Sequence, residues 1–224
     1  MKTRYLDFYF DYLSPFAYFS WRKITNFCED HEVHLRVHPI VFGKLLDHWG
    51  QLGPAEIPPK REWLAKYCHR YAHQHGFEFN GPKFHPFNSL PALRLSLSEV
   101  TGVNQEKVVS AIFEAGWSQG KDIGDLNELI SILDSLGIDG TVLSEQINRP
   151  SIKEILKQET AGAIELGVFG IPTMVIDEQL FWGNDQFDHM SLYVEGNDSL
   201  DTGKVIEALS RKRAIDRKLV RDQF

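Results

Sequence analysis

The 224-residue sequence contains only two cysteines, Cys28 and Cys68, and they lie far apart in the chain. No Cys-x-x-Cys pair occurs, which argues against both a disulfide scaffold and a dithiol redox centre. So few cysteines, without a pairing pattern, are typical of proteins from a reducing compartment. We therefore expect both thiols to be free and to serve as packing groups.

Long apolar runs are also missing. No stretch of about 18 apolar residues occurs, so the sequence predicts no membrane-spanning helix. The basic start at Lys2 and Arg4 is followed by Asp7 and Asp11, which interrupt the apolar segment that a signal peptide requires. We expect a cytoplasmic protein with no membrane partner.

Positive charge is not in excess, because 24 Lys and Arg residues face 31 Asp and Glu residues, for a formal net charge of −7. Without a dominant basic stripe, nucleic acid is not an expected partner. The one basic run, residues 211–221, is interspersed with acidic residues and indicates the solvated face of a helix.

What the sequence does contain is an aromatic strand that leads directly into a serine and a proline. Residues 5–11 alternate as a half-buried strand, and an amphipathic helix pattern runs from Pro15 to about Asp30. Ser14 then stands at the helix N-cap with Pro15 at the first helical position. The pattern fits two interpretations: a helix cap only, or a site where the helix N-terminus and the hydroxyl bind an anion or a thiolate.

The order of elements predicts an α/β fold. Residues 33–41 alternate as a second strand, so that strand, helix and strand form a βαβ unit with parallel strands. Residues 43–59 are rich in glycine and proline and predict an irregular connection. Helical patterns follow at 60–74, 89–101, 105–117, 126–136, 141–147 and 151–166, with Asn104 and Asp125 as predicted caps.

Strand patterns return near the end of the chain. Residues 170–177 and 180–185 predict a β-hairpin, and a last helix is expected from Gly203, capped by Asp201 or Thr202. Strands at both ends with helices between them predict one α/β domain interrupted by an inserted helical domain.

Three motifs together resemble the 2-hydroxychromene-2-carboxylate isomerase family, which is related to kappa-class glutathione transferases within the DsbA-like thioredoxin-fold group. They are residues 8–18, which contain Ser14-Pro15-Phe16, residues 168–173, which contain Ile171-Pro172, and Trp182-Gly183-Asn184-Asp185. The resemblance covers nearly the whole chain in order, including Ala115-Gly116-Trp117 in the helical region.

The resemblance implies a thioredoxin-like domain made of residues 1–43 and 168–224, with an inserted helical domain of residues 44–167. It also implies glutathione as the cofactor, a cis peptide bond before Pro172 and a homodimer. The residues that it assigns to glutathione are Ser14, Pro15, Phe16, Lys60, Ile171, Pro172, Trp182, Gly183, Asn184 and Asp185.

By the same resemblance, Ser14 is the catalytic residue and donates its hydroxyl to the glutathione sulfur. Ile171 would pair with the cysteinyl main chain, as at the edge of a sheet. Asn184 and Asp185 would receive the γ-glutamyl end, and Lys60 would reach the glycyl carboxylate. Hydrogen bonds and a helix N-terminus both favour a thiolate over a thiol, which is consistent with these roles.

The activity implied is isomerisation of a conjugated aromatic acid in aromatic catabolism, in which the glutathione thiolate adds reversibly to a conjugated carbon. Asn88 and Gln51 are the candidate substrate residues. The chain departs from the family at Gln51, where an asparagine is usual, at residues 55–57, where an Asn-Arg pair is usual, and at Tyr67, where an aspartate is usual. These departures leave the substrate open.

Two alternatives to the isomerase remain: a kappa-class-like glutathione transferase or peroxidase, and a non-catalytic module that binds glutathione or a peptide. Simpler interpretations also remain for single residues, since Lys60 could be only solvated, and Asn88 and Asn184-Asp185 could be only helix caps. His69 and His73 are four residues apart on one helical pattern, but no further ligand pattern accompanies them, so no metal site is predicted.

Overall fold

The computed structural model describes residues 3–212. The strands are β1 (Tyr5–Phe10), β2 (His34–Pro39), β3 (Thr173–Ile176) and β4 (Gln179–Trp182). The α-helices are α1 (Pro15–Asp30), α2 (Phe42–Trp49), α3 (Pro58–His75), α4 (Leu90–Leu95), α5 (Ser98–Thr101), α6 (Gln105–Phe113), α7 (Leu126–Ser135), α8 (Gly140–Gln146), α9 (Pro150–Glu165), α10 (Phe187–Val194) and α11 (Thr202–Ser210).

The four strands form one mixed sheet in the order β2-β1-β3-β4. β1 and β2 are parallel and are joined by α1, as the βαβ pattern predicts. β3 is antiparallel to β1, and β4 is antiparallel to β3, which confirms the predicted hairpin. Its turn contains Asp177 and Glu178, both with positive φ values of 47° and 70°, as a two-residue hairpin turn requires.

The core lies where α1 and the helical region pack against β1. Leu6, Phe8 and Phe10 are fully buried on one face of β1, as the alternation predicts. Phe113 from α6 reaches the same cluster, with its ring centroid 5.3 Å from that of Phe10. The aromatic strand is therefore a rigid platform for the loop that follows it.

The distribution of elements agrees with an α/β fold that contains a long helical segment. The strands found in the described part of the chain lie within residues 5–39 and 173–182, and α2 to α9 fall between them. The domain boundaries at 43/44 and 167/168 stay a prediction. No helix within residues 3–212 has the length and apolarity needed to cross a membrane.

The prediction of an irregular connection from residue 43 was wrong, because α2 occupies Phe42–Trp49. Leu45 anchors this helix in the core. Gly50 ends it in the left-handed conformation with φ of 63°. Gly50, whose presence suggested a loop, is thus the residue that ends a helix, a position that glycine favours.

Other boundaries also differ from the predictions. The pattern at 89–101 splits into α4 and α5 at Leu97, whose backbone is extended, and the pattern at 105–117 ends in a π-turn at Glu114–Ser118. α10 forms in a weakly patterned segment that predicted no helix. Asp125 caps α7 as predicted, whereas the side chain of Asn104 makes no cap hydrogen bond.

The last predicted helix is present as α11, and its N-cap is Asp201, whose side chain accepts from the backbone N–H of Lys204. Of the basic run at 211–221, only Arg211 and Lys212 lie among the described residues. The prediction of a solvated helix face there lies otherwise outside them.

Candidate active site

The site begins where β1 passes into α1. Ser14 is the N-cap of α1, with an extended backbone and Pro15 at the first helical position. Its Oγ accepts a hydrogen bond from the backbone N–H of Ala17 at 3.2 Å. The helix-start signal in the sequence is confirmed, and it places one hydroxyl at the positive end of the α1 dipole.

Asp11 holds the loop that carries Ser14. Its carboxylate accepts hydrogen bonds from the backbone N–H groups of Leu13 at 3.1 Å and Phe42 at 3.0 Å. The backbone N–H of Ser14 donates to the Asp11 carbonyl at 3.1 Å. Burial raises the pKa of this carboxyl to about 6, although the hydrogen bonds that it accepts act in the opposite direction. Asp11 thus joins the β1–α1 loop to the start of α2.

The cis-proline segment lies against Ser14. The Ile171–Pro172 peptide bond is cis, and the hydroxyl of Ser14 donates to the Ile171 carbonyl at 3.4 Å across 157 positions of sequence. The Pro172 carbonyl in turn accepts from the N–H of Gly183 at 3.0 Å. The structure therefore brings the three motifs of the sequence to one place.

Trp182 packs directly over the backbone of Gly170. A Cβ atom at Gly170 would lie 2.5 Å from Nε1 of Trp182, so only glycine fits there. The indole is 52% exposed, and its edge contacts Phe169 with 5.0 Å between ring centroids. A half-exposed aromatic ring therefore lies over the residue that precedes Ile171.

Asn184 and Asp185 follow in a tight loop. Asn184 is 5% exposed, and its Nδ2 has no hydrogen-bond partner among the described residues. Asp185 is exposed. A side chain at position 183 is disfavoured twice: its Cβ would lie 2.6 Å from Oδ1 of Asp185, and the backbone φ of Gly183 is 114°. The loop thus presents a carboxylate outward and a buried amide donor that no protein acceptor satisfies.

A wall of aromatic side chains from α3 faces this loop. The Tyr67 ring contacts Phe16 edge-on with centroids 5.7 Å apart and stacks on Trp63 at 5.0 Å. Burial raises the pKa of the Tyr67 phenol, nearby Tyr71 and Asp185 add to the effect, and the neighbouring side chain of Asn184 opposes it. Tyr67 therefore connects the first turn of α1 with the Asn184–Asp185 loop.

The remaining predicted residues are exposed, and two of them make local hydrogen bonds. Lys60 is exposed in the first turn of α3. Asn88 is exposed, and its Oδ1 accepts from the N–H of Leu90 at 3.2 Å, as a residue at a helix start does. Gln51 is exposed, and its N–H donates to the Leu46 carbonyl at the end of α2. Within residues 3–212, no recorded hydrogen bond joins Asn88 or Gln51 to Ser14.

The cysteines take no part in the site. Cys28 and Cys68 are both free and buried, and burial raises the pKa of each thiol to about 12. Both are therefore protonated packing groups at neutral pH, as predicted. Within the described chain, no group of three or more His, Cys, Asp or Glu side chains converges as metal ligands would.

Two residues of this centre are absent from the sequence prediction. The first is Asp11. Its position, an acidic residue at the end of an apolar strand, was the sequence signal that could have identified it. The second is Lys23, whose Nζ donates to the Asn184 carbonyl at 2.6 Å. Lys23 gave no signal, because a lysine on an amphipathic helix ordinarily points into solvent.

Glutathione is the group that the resemblance implies, and the described residues fit it. Ser14 has one hydroxyl proton in a long 3.4 Å contact, which a stronger acceptor such as a thiolate can replace. The unsatisfied Nδ2 of Asn184 suits a ligand carboxylate, and the exposed carboxylate of Asp185 suits a ligand ammonium. The centre thus offers polar partners for both the sulfur and the glutamyl end of this tripeptide.

Comparison with known proteins supports the resemblance that the three motifs suggest. A family model described as a DSBA-like thioredoxin domain matches residues 5–195. A 2-hydroxychromene-2-carboxylate isomerase from Sphingobium xenophagum is 29% identical over 195 residues, which cover 86% of this chain and 98% of that protein. Human glutathione S-transferase kappa 1 is 24% identical over 201 residues, covering 83% of this chain and 88% of that protein.

One solved structure supports the fold. A 2-hydroxychromene-2-carboxylate isomerase superposes with a TM-score of 0.79 at 23% identity, covering 92% of this chain and 100% of that chain. The resemblance stated from the three motifs is confirmed by these matches. The predicted fold class, a thioredoxin-like domain with a large helical insertion, is confirmed as well.

Proposed function

The chain belongs to the family of DSBA-like thioredoxin domains, and from this premise we propose that it is a glutathione-dependent isomerase of the 2-hydroxychromene-2-carboxylate isomerase type. Its substrate is a small conjugated aromatic acid. Within the family, Ser14-Pro15-Phe16-Ala17 stands where a redox-active member has a Cys-x-x-Cys pair. The chain therefore requires an external thiol for any sulfur chemistry at the start of α1.

When bound, glutathione would supply a thiol that adds reversibly to a conjugated carbon and so allows a double bond to rotate. Ser14 would donate its hydroxyl to that sulfur and stabilise the thiolate form. The N-terminus of α1 adds its positive partial charge at the same point. Both groups belong to the folded protein and need no rearrangement to act, so they stabilise the charge at little cost.

The other residues orient the ligand. Ile171 would offer backbone groups to the cysteinyl unit, beside the face formed by Pro15 and Phe16. Asn184 and Asp185 would hold the glutamyl end, and Lys60 would attract the glycyl carboxylate. Trp182 and Gly183 shape the wall between these two ends. Asn88 and Gln51 stay proposals for the substrate side, and their local hydrogen bonds give them no additional support.

One observation carries the proposal. The hydroxyl of Ser14 lies 3.4 Å from the carbonyl of Ile171, at the N-terminus of α1 and with no cysteine in the motif. A serine hydroxyl that lies at a helix N-terminus and donates toward a cis-proline segment is suited to hold the sulfur of a bound peptide. It is poorly suited to attack a substrate, because no histidine or other base is among its recorded hydrogen-bond partners in residues 3–212.

The isomerase is favoured over a transferase because of the relatives. The similarity to the Sphingobium isomerase covers 98% of that protein at 29% identity, whereas the human kappa transferase is 24% identical. A kappa-class-like transferase or peroxidase remains the alternative that shares every residue named above. A homodimer and a cytoplasmic location stay predictions, and sedimentation analysis would test the first.

The proposal is tested with the Ser14→Ala variant and calorimetry of glutathione binding. Removing the hydroxyl should raise the pKa of the bound thiol by about one to two units, since a hydrogen bond to a charged group contributes about 1.5–3 kcal/mol and the helix N-terminus remains. Ultraviolet absorbance of the thiolate, followed against pH, measures this shift. Isomerase turnover of a conjugated aromatic acid, with and without glutathione, tests the reaction itself.

Ser20→Ala is the matched control. Ser20 lies on the same helix, and its Oγ is buried without a hydrogen-bond partner in the described residues, so its removal should change neither binding nor thiolate absorbance. An unshifted thiolate titration in Ser14→Ala would contradict the role of Ser14. Tight glutathione binding without turnover of any conjugated acceptor would instead favour a binding module.

A further inference from the structure

Lys23 makes an unusual set of contacts for a helix-surface lysine. Its Nζ donates to the backbone carbonyl of Asn184 at 2.6 Å and to the hydroxyl of Tyr71 at 3.0 Å. The ammonium also lies over the ring of Phe187, 4.2 Å from the centroid. One cation thus joins α1, α3 and the segment that begins α10.

These contacts act on the loop whose side chains face the proposed ligand. The Asn184 carbonyl is turned inward to Lys23, and the Nδ2 of the same residue is left without a protein acceptor. If the carbonyl were free to turn outward, it would present an acceptor to an acidic ligand, which is unfavourable. The ammonium of Lys23 prevents this by a charge-assisted hydrogen bond.

Lys23 also belongs to the helix that begins at Ser14. A helix is rigid over this length, with a rise of about 1.5 Å per residue. The same element therefore fixes the group that would hold the sulfur and the cation that fixes the Asn184–Asp185 loop. The separation between the two ends of the site is set by α1.

We infer that Lys23 is a positioning residue that orients Asn184 and Asp185 to recognise the γ-glutamyl end of glutathione. The inference rests on the proposed function and extends it. Lys23 does not contact the ligand in this arrangement; it acts through the Asn184 carbonyl. The consequence is selectivity, because Lys23 then governs the preference for glutathione over thiols without a γ-glutamyl unit.

The experiment compares the dissociation constants of glutathione and of the dipeptide cysteinylglycine, which lacks the γ-glutamyl unit. In Lys23→Met, glutathione should bind about tenfold more weakly, the effect expected for loss of one hydrogen bond from a charged group. The affinity for cysteinylglycine should stay within about twofold of the wild type. In turnover, KM for glutathione should rise by a similar factor while kcat changes little.

The chain offers a matched control. Lys107 also donates from Nζ to a backbone carbonyl, that of Leu136 at 2.9 Å, between α6 and the end of α7. Lys107→Met removes the same kind of hydrogen bond far from Ser14 in sequence, and it should leave both affinities unchanged. If Lys23→Met does not fold, Lys23→Gln takes its place, since its amide is uncharged and one bond shorter.

The outcomes separate the two proposals. Failure of the wild-type protein to bind glutathione would overturn the proposed function together with this inference. Glutathione binding that is equal in the wild type and in the folded Lys23 variant would overturn this inference alone. An equal weakening of both ligands would also overturn it, because a general loss of site structure does not distinguish the γ-glutamyl end.

Discussion

At the scale of single residues, Asp11 supports the site from below the surface. The side chain is fully buried and accepts hydrogen bonds from two backbone N–H groups, one in the β1–α1 loop and one at the start of α2. A hydrogen-bonded carboxylate so deep in the protein is costly to ionise, and burial accordingly raises its pKa to about 6 from the usual 3.8. The loop before Ser14 is therefore held by a group that titrates just below neutral pH.

Asp11 predicts a distinct pH dependence of stability. Because the folded-state pKa is raised, the contribution to stability is complete below pH 3.8 and is lost as the pH rises through 6. The free energy of unfolding of the wild type minus that of Asp11→Asn should therefore fall by at most about 3 kcal/mol across this window. Urea unfolding at a series of pH values measures it.

The subtraction cancels the other carboxylates, which are common to both proteins. Above pH 7 the two free energies of unfolding should differ by a constant amount, because the single side-chain oxygen of asparagine can accept only some of the hydrogen bonds that the carboxylate accepts. A difference that does not change between pH 4 and pH 7 would show that Asp11 titrates normally.

At the scale of elements, the segment before β3 depends on a glycine for its packing. A Cβ at Gly170 would meet Nε1 of Trp182 at 2.5 Å, so the indole and the cis-proline segment are held in close contact. Gly170→Ala should move the indole and lower the free energy of unfolding by about 1–3 kcal/mol, as overpacking typically does. Thermal unfolding and the emission of Trp182 against the other tryptophans would report the change.

Gly162 is the matched control for this substitution. It lies in α9, and a Cβ there meets nothing within 4 Å. Gly162→Ala should therefore stabilise the protein by about 0.5–1 kcal/mol, because alanine loses less conformational entropy in a helix. If both substitutions had the same sign, the contact between Gly170 and Trp182 would not be what restricts the position.

Elements also show where sequence patterns have no resolving power. The start of α1 is predicted to the residue and its end approximately, because Ser14-Pro15 marks the start and a clear apolar period follows. The sequence does not predict α2, because Gly43 and Gly50 favour a loop, although Gly50 only ends the helix. It does not predict α10 either, because Phe187 packs against Phe27 of α1 and Tyr193 against Phe181 of β4, so that the apolar residues do not form one stripe.

At the scale of the whole molecule, His38 links the sheet to the helical region. Its Nε2 contacts Asp7 of β1 at 2.8 Å, and its Nδ1 contacts Glu159 of α9 at 2.8 Å. Burial alone would lower the pKa of His38, but the hydrogen bonds to these two carboxylates raise it to about 9. Asp7 is held at the same time by two hydrogen bonds from Arg36.

His38 therefore predicts a loss of stability in mild alkali. With the folded-state pKa raised above 6.5, its contribution is complete below pH 6.5 and is lost as the pH rises through 9. The free energy of unfolding of the wild type minus that of His38→Gln should fall by at most about 3 kcal/mol over this range. His34→Gln, at an exposed position on the same strand, serves as the control for replacing a histidine with glutamine.

The strands, α1 and the hairpin are predictable from the sequence, because each depends on neighbours in the chain, and the resemblance follows from the order of three short motifs. Alternation in β1, a cap at Ser14 and the two hairpin segments are local signals that need no knowledge of distant residues. The absence of a Cys-x-x-Cys pair is also visible in the sequence. It excludes a dithiol centre of that kind within the chain and indicates that a thiol would have to come from a ligand.

The resemblance groups the site residues, but the contacts between them are visible only in the folded chain. The contact of Ser14 with Ile171 spans 157 positions, and that of Lys23 with Asn184 spans 161. The local sequence of Lys23 is that of an ordinary surface lysine, and the position of Asp11 at the end of an apolar strand is at most a weak signal. Their roles arise from burial and from partners on other elements, and such properties exist only once the chain has folded.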